Sequence, residues 1–330
     1  QIPLEPFVNQ GEGWARRFAP TLRLMMAGIS RWHELPTELN APELEVSARG
    51  GLMVARREAE METLRRKSAI ERAEGLEVHL LGRAELRALA PYLSEDAIGA
   101  AFCPVEGKAN PLAATFAYAR AARAAGARLV TRAEVTGLVA DGEGWLARTS
   151  VGEVRARRVV NCAGAAAGVV ASWLGLDLPV EAHPIQVTVT ERVAPFIPHL
   201  VYSAADRLSL KQSAAGSVLI GGGWPARLHP VTGAPVVSEE SLIPNLRLAL
   251  SAVPAVARLR VVRSWAAVVN GTADWRPILG ELPGARGAFL CFFPWMGFTA
   301  GPAVGRLMAE VALGRKRGDD GEVAGFAPVR

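Results

Sequence analysis

Between Ala97 and Leu174 the chain alternates strand-like and helix-like stretches, and no other feature constrains its fold as tightly. Residues 98–103 read as a strand. Asn110 then offers a helix N-cap, Pro111 suits the first helical position and Gly126 suits the stop. Leu112, Phe116 and Ala119 are expected on that helix's buried face. Residues 128–131 and 134–140 read as strands, with a turn at Asp141-Gly142. Residues 154–162 read as another, running through Ala163-Gly164 into a small-residue helix over 165–174. Strands separated by glycine turns and single helices predict α/β organisation around a largely parallel sheet.

The flanking segments add to this. Met25, Ile29 and Trp32 fall at i, i+4 and i+7 and predict a helix ending near Pro36. Residues 51–55 read as a strand, and the highly charged stretch 56–74 as an exposed helix stopped by Gly75. From 178 to 262 the character changes. Residues 185–190 alternate apolar and polar, as a half-covered antiparallel strand does. Residues 208–211 and 218–221 read alike, which predicts a second, sheet-rich α+β domain. The end returns to α/β, with a strand at 288–293 and a helix from about 299 to 313. Val304, Leu307, Met308 and Val311 share one face of that helix, while Gly301 and Gly305 permit close packing against something.

Composition excludes several classes. Half of the 330 residues are hydrophobic and 21% are charged, so the chain has the material for a core and is not a disordered polymer. No window approaches the ~18 uninterrupted apolar residues of a membrane span. The net charge of +5 raises nucleic acid as a partner. Arginine carries almost all of it, and lysine stands only at Lys67, Lys108, Lys211 and Lys316. Arg56-Arg57 precedes Glu58 and Arg65-Arg66-Lys67 precedes Glu71, the pattern of solvated helix faces. Only Arg315-Lys316-Arg317 lacks nearby acids, and the tail turns acidic at Asp319-Asp320. No nucleic-acid partner is expected.

Residues 1–6 lack the basic flank and apolar stretch of a secretion signal, and the missing initiator Met suggests a start inside a longer chain. Cys103, Cys162 and Cys291 form no Cys-x-x-Cys pair, and the five histidines are dispersed. No metal site or disulfide framework is expected, and a reducing, cytoplasmic setting fits.

Self-contained catalysis is absent from the sequence. There is no Gly-x-Ser-x-Gly elbow, no phosphate loop ending in Gly-Lys-Ser/Thr and no His-Glu-x-x-His. Gly221-Gly222-Gly223 is followed by Trp224-Pro225 and reads as a strand-end turn. A chain of this size with no acid–base constellation of its own points to a cofactor that carries the reaction.

Three stretches bear a resemblance in order along the chain. They are Glu106-Gly107-Lys108-Ala109-Asn110-Pro111, then Val159-Val160-Asn161-Cys162-Ala163-Gly164, then a C-terminal set. That set comprises Arg263-Ser264-Trp265-Ala266, Asp274, Pro277-Ile278-Leu279-Gly280 and Gly297-Phe298-Thr299-Ala300-Gly301-Pro302. Together they resemble the FAD-dependent amine oxidoreductases of the D-amino-acid oxidase superfamily. His183-Pro184-Ile185-Gln186, Leu210-Lys211-Gln212 and Gly221-Gly222-Gly223-Trp224-Pro225-Ala226 are most similar to the β subunits of opine oxidase, sarcosine oxidase and hydrogen cyanide synthase.

The resemblance implies a discontinuous, Rossmann-like FAD-binding domain at 1–40, 96–176 and 263–330. An antiparallel-sheet substrate domain at 41–95 and 177–262 would be inserted in it. The chain departs from the family in one respect: the opening strand, Gly-x-Gly-x-x-Gly turn and helix, a unit of roughly 30 residues, is absent. A fragment or a degenerate homologue is therefore expected, with the FAD-binding domain incomplete at its N-terminus.

The resemblance also implies site residues. Val135 would meet the adenine through its backbone, and Ala163 and Gly164 would form the close-approach turn beside the pyrophosphate and ribose. Gly297, Phe298 and Thr299 would bring a helix N-terminus to the flavin's pyrimidine edge, where reduction builds negative charge. Val269 and Trp295 stand where relatives that grip small amino acids carry arginines, which favours a bulkier secondary amine. His183, Lys211, Trp224 and Trp295 are the candidate pocket residues, with Lys211 as a point charge for a carboxylate and His183 as a proton acceptor. The sequence assigns no catalytic group beyond these.

The activity implied is FAD-dependent oxidation of a secondary amine or N-substituted amino acid to the imine. The relatives imply a partner subunit carrying any further redox centre. Two alternatives stay open: a homo-oligomeric amino-acid oxidase using oxygen directly, and a non-catalytic truncated flavoprotein.

Overall fold

A computed structural model describes residues 1–316 and 324–328; Arg317 and Asp319-Asp320 lie outside the described residues. In chain order the first elements are α1 (Leu4–Glu38), β1 (Gly51–Ala55), α2 (Glu58–Ala73), β2 (His79–Gly82), α3 (Arg83–Leu89), β3 (Gly99–Cys103) and α4 (Pro111–Ala124). The hairpin strands β4 (Val135–Asp141), β5 (Gly144–Thr149) and β6 (Gly152–Ala156) come next, then β7 (Val159–Asn161) and α5 (Ala167–Ser172). After these stand β8 (Glu181–Arg192), β9 (Leu200–Ser203), β10 (Ser209–Gln212), β11 (Ser217–Gly221), β12 (Arg227–Leu228), β13 (Pro235–Val236) and α6 (Glu239–Ala252). The chain closes with β14 (Val261–Gly271), β15 (Ile278–Glu281), β16 (Ala288–Phe292) and α7 (Gly297–Ala312). The helix α1 is interrupted at Gly11, whose φ of 76° and ψ of −173° are open only to glycine.

The chain divides into two compact units. One holds Gln1–Leu22, Glu45–Ala109 and Pro184–Val268; the other holds Arg23–Leu44, Asn110–His183 and the described residues of Val269–Arg330. Residues 1–22 and 96–109 thus group with the large sheet, because β3 is hydrogen-bonded between β1 and β2.

The first unit is built on an eight-stranded mixed sheet in the order β14-β8-β11-β10-β9-β1-β3-β2. Along β1, β9, β10 and β11, Leu52, Val54, Val201, Leu210, Val218 and Ile220 fall on one face and pack with residues of α3 and α6 into a core. Strand alternation puts Met53, Tyr202, Lys211 and Leu219 on the opposite face. On β8 it is the polar residues that are buried. Gln186 exchanges hydrogen bonds with Ser238, Thr188 meets the Ser264 hydroxyl, and Thr190 accepts from Val218 N–H.

The helix α2 corrects the expectation of an exposed helix. Arg65 and Arg66 pair with Glu62 and Glu12 on its outer face, but Lys67 and Glu71 are 0% exposed. Lys67 Nζ donates to Glu71 Oε1 at 2.5 Å, and Glu71 also accepts from Ile2 N–H at 2.6 Å. Breaking such a pair strands a buried charge, so Lys67→Met is expected to destabilise the fold by about 3–5 kcal/mol. Chemical denaturation checks this.

The second unit holds two three-stranded sheets, β15-β16-β7 and β4-β5-β6, over a core that includes Leu138, Trp145, Ala171, Ile278, Leu290 and Phe292. Three sequence expectations fail here, and one allowance goes unused. Residues 128–131 are exposed and form no ladder. Residues 154–162 are two strands, since β6 belongs to a hairpin with β5 while β7 pairs β16. The helix α4 turns Ala114 and Ala117 inward, because small residues let it approach its neighbours, and leaves Leu112 (79%) and Phe116 (74%) exposed. Gly301 and Gly305 meet nothing within 4 Å of an added Cβ, so they mark no close packing. The mixed α/β class stands, but among the described residues only β1 with β9 and β7 with β16 pair in parallel.

Candidate functional site

In the second unit, β7 ends at Asn161, and that side chain fixes the turn after the strand. Its Nδ2 donates to Ala167 O at 2.9 Å, and its Oδ1 accepts from Ala163 N–H at 3.1 Å. The turn between them is therefore clamped at both ends. Gly164 sits in this turn at φ 57°, and an added Cβ there would meet nothing within 4 Å, so backbone conformation rather than crowding selects glycine. A cavity of about 810 Å3 opens against the turn, lined among others by Val135, Thr136, Val160, Cys162, Ala163 and Phe289. Val135 and Ala163 are thus brought to one cavity, with Gly164 next along the chain.

The start of α7 is seated on α1. Trp32 Nε1–H donates to Phe298 O at 3.0 Å, and the Trp32 and Phe298 rings lie 4.6 Å apart. Gly28 lies against the Thr299 carbonyl so closely that a Cβ would come within 2.2 Å of its oxygen. A helix leaves the N–H groups of its first turn without intrahelical acceptors, and the first turn of α7 carries no acidic side chain to answer them. The Gly297–Thr299 segment is therefore a fixed end of positive potential suited to an anionic group.

The same unit gathers three aromatic residues. His183 tilts against Trp295 at 4.6 Å, and Trp295 stacks on Trp275 at 4.9 Å. Both tryptophans hold positive φ, 62° at Trp275 and 55° at Trp295. Backbone strain of this kind persists only where packing over-determines it. The Trp295 indole N–H is buried without an acceptor. Glu181 Oε2 lies 2.9 Å from His183 Nε2.

Lys211 and Trp224 lie in the first unit. Lys211 points from the face of β10 opposite the hydrophobic core and has no hydrogen-bond or carboxylate partner among the described residues. Burial alone draws its ammonium below the ordinary lysine range. Lys108, whose Nζ donates to Gln212 O, is drawn down by burial and then by the positive charges of Lys211 and Arg49. The two ammonium groups are thus near enough for the charge of one to act on the other. Trp224 has its indole N–H committed to Arg207 O and serves the strand-end turn.

Comparison with known proteins decides the family. Residues 8–311 match the family described as DAO, FAD dependent oxidoreductase. The chain belongs to the FAD-dependent oxidoreductase family. It is 28% identical to the sarcosine oxidase subunit beta of an Arthrobacter species over 290 residues, 86% of this chain and 70% of that protein. It is 30% identical to the glycine oxidase of Geobacillus kaustophilus, over 80% of this chain and 69% of that protein. Its fold is similar to the crystal structure of L-proline dehydrogenase from P. horikoshii, with a TM-score of 0.84 and 25% identity, covering 93% and 82% of the two chains.

FAD is the cofactor of this family, and the second unit fits it. The cavity is large enough for part of a dinucleotide, the Asn161-clamped turn offers small residues, and the α7 end offers N–H groups. The sequence assigned no role in the site to Asn161, Gly28, Trp275 or Lys108. An asparagine closing a strand before a run of alanine and glycine was a usable signal for the first. A glycine inside a regular helix was one for the second.

Proposed function

We propose that this flavoprotein oxidises a secondary amine or N-substituted amino acid to the imine, and that Lys211 holds the substrate's carboxylate. The observation that carries this reading is the ammonium of Lys211, on the face of β10 opposite the core and without a counter-ion among the described residues, with the charge of Lys108 near it. A partly desolvated cation with no counter-ion binds an anion more strongly than a solvated one, because less water must be displaced. Bound FAD supplies the two-electron acceptor for the hydride on the carbon bearing nitrogen, and water then hydrolyses the imine. The protein's own contribution is to fix the carboxylate, hold the turn at 162–166 and present the α7 end.

The relatives support the substrate class in a coarse way, since they are oxidases and dehydrogenases named for sarcosine, glycine and proline. Several are subunits by name, including a sarcosine oxidase subunit beta and the hydrogen cyanide synthase subunit HcnC, which supports a partner subunit here as well.

The experiment is turnover of the FAD-loaded protein with an artificial electron acceptor. N-methyl and N-carboxymethyl amino acids are compared with the same amines as carboxamides. Turnover confined to the carboxylates, with release of a carbonyl product, is expected. Equal turnover of the carboxamides would remove Lys211 from the reading.

A further inference from the structure

The β7 and β16 strands run parallel, with Val159 opposite Ala288, Val160 opposite Phe289 and Asn161 opposite Leu290. One more step along this register sets Cys162, the residue after β7, against Cys291 within β16. In-register neighbours project to the same face of a sheet, on strands about 4.8 Å apart. That spacing lies inside the roughly 4.4–6.8 Å between α-carbons that a disulfide bridges. Each thiol is the largest influence on the other's titration, as expected of side chains set next to one another. All three cysteines are free, Cys162 exposed, Cys291 half-buried and Cys103 buried.

The electrostatics agree with this geometry. The hydrogen bond from Cys291 draws the Cys162 thiol down to about 7, against the opposing effect of burial. The same bond, with burial, pushes Cys291 up. The thiolate is the form that reacts with oxidants, and Cys162, drawn down and exposed, is the better placed of the two to supply it, while Cys291 is pushed up and half-buried.

We infer that Cys162 and Cys291 are a redox-active dithiol that hydrogen peroxide closes to an intramolecular disulfide, with Cys162 attacking and Cys291 resolving. In the first step Cys162 Sγ attacks one peroxide oxygen. An S–O bond forms, the O–O bond breaks, and the departing hydroxide takes a proton to leave as water. In the second step Cys291 Sγ attacks the Cys162 sulfenic sulfur. The S–S bond forms, the S–O bond breaks, and the Cys291 proton leaves with the hydroxyl as a second water. Two thiols lose two electrons and two protons, and one peroxide becomes two waters. This assignment rests on the β7–β16 register and is independent of the substrate.

The test treats the purified full chain with hydrogen peroxide, blocks remaining thiols with N-ethylmaleimide and maps the peptides by mass spectrometry. The expected product is one chain in which the Cys162 and Cys291 peptides are linked, reversed by dithiothreitol. Cys103 stays reduced, and Cys162 is lost at least about tenfold faster than Cys103. In Cys291→Ser the link disappears and dimedone traps a sulfenic acid at Cys162. In Cys162→Ser the thiol of Cys291 persists. Cys162 oxidised in the wild type without linkage, linkage only between chains, or no oxidation of Cys162 would each overturn the assignment.

Discussion

Gly28→Val is expected to cost the protein its flavin together with stability, and Gly297→Val to cost it flavin with the fold intact. The contrast arises from the atoms each new side chain would meet. At Gly28 a Cβ would sit 2.2 Å from Thr299 O and 2.8 Å from Ala300 Cα, both backbone atoms that cannot swing aside. Overpacking of this kind costs about 1–3 kcal/mol or more, and relief requires that the start of α7 move away from α1. At Gly297 the only neighbour is Phe293 Cβ at 3.9 Å, an ordinary contact, so valine is accommodated in the protein alone.

The Gly297 side chain would instead cover the N–H groups that end α7. Losing a helix-terminus interaction of up to about 2 kcal/mol weakens FAD by roughly 30-fold. Thermal unfolding of the apoprotein and FAD titration measured on the same two variants separate the effects. Normal FAD affinity in a folded Gly297→Val protein would displace the flavin from the α7 end.

Lys211→Met is expected to raise KM for a carboxylated amine by about 30-fold or more while changing kcat far less. Removing one member of a buried charge pair costs about 2–5 kcal/mol, and a half-buried lysine belongs at the low end. The pH dependence carries the sharper signature. Burial lowers the Lys211 pKa from the ordinary 10.5. A bound carboxylate favours the ammonium, so wild-type affinity is greatest below that lowered pKa and falls as pH rises through it. The loss therefore begins at a lower pH than for an exposed lysine. In Lys211→Met this limb of the profile vanishes, leaving only titration of the substrate amine. A profile unchanged by the substitution would mean that Lys211 does not meet the carboxylate.

The sequence carried the helices and the family well, and the reasons are local. Asn110-Pro111 predicted the start of α4, and the Asn110 side chain does accept from Leu112 N–H at 3.1 Å. The apolar spacing of Val304, Leu307, Met308 and Val311 predicted the buried face of α7. What failed depended on partners distant in the chain. Which face of α4 is covered is decided by what packs on it, so Leu112 and Phe116 misled where Ala114 and Ala117 were the true contacts. Lys67 and Glu71 looked like a solvated i, i+4 pair, but the N-terminal residues Gln1 and Ile2, distant in the chain, hydrogen-bond to them and the pair is buried.

Within the site, the motif at 159–164 named the turn but not the Asn161 clamp that sets it. The adjacency of Cys162 and Cys291 is invisible at a separation of more than a hundred residues and becomes plain only through the β7–β16 register.

A carboxylated amine is expected to reduce the bound flavin, with Lys211 reading the carboxylate. The most direct test is anaerobic reduction of the FAD-loaded protein, monitored by loss of the flavin's visible absorbance. The substrates are one N-substituted amino acid and its carboxamide, and the proteins are the wild type and Lys211→Met. Rapid bleaching is expected only by the carboxylate with the wild type, with a preference for it that shrinks by about 30-fold when Lys211 is replaced, which is about 2 kcal/mol of coupling. Equal preferences in the two proteins, or no bleaching by any N-substituted amino acid, would contradict this expectation.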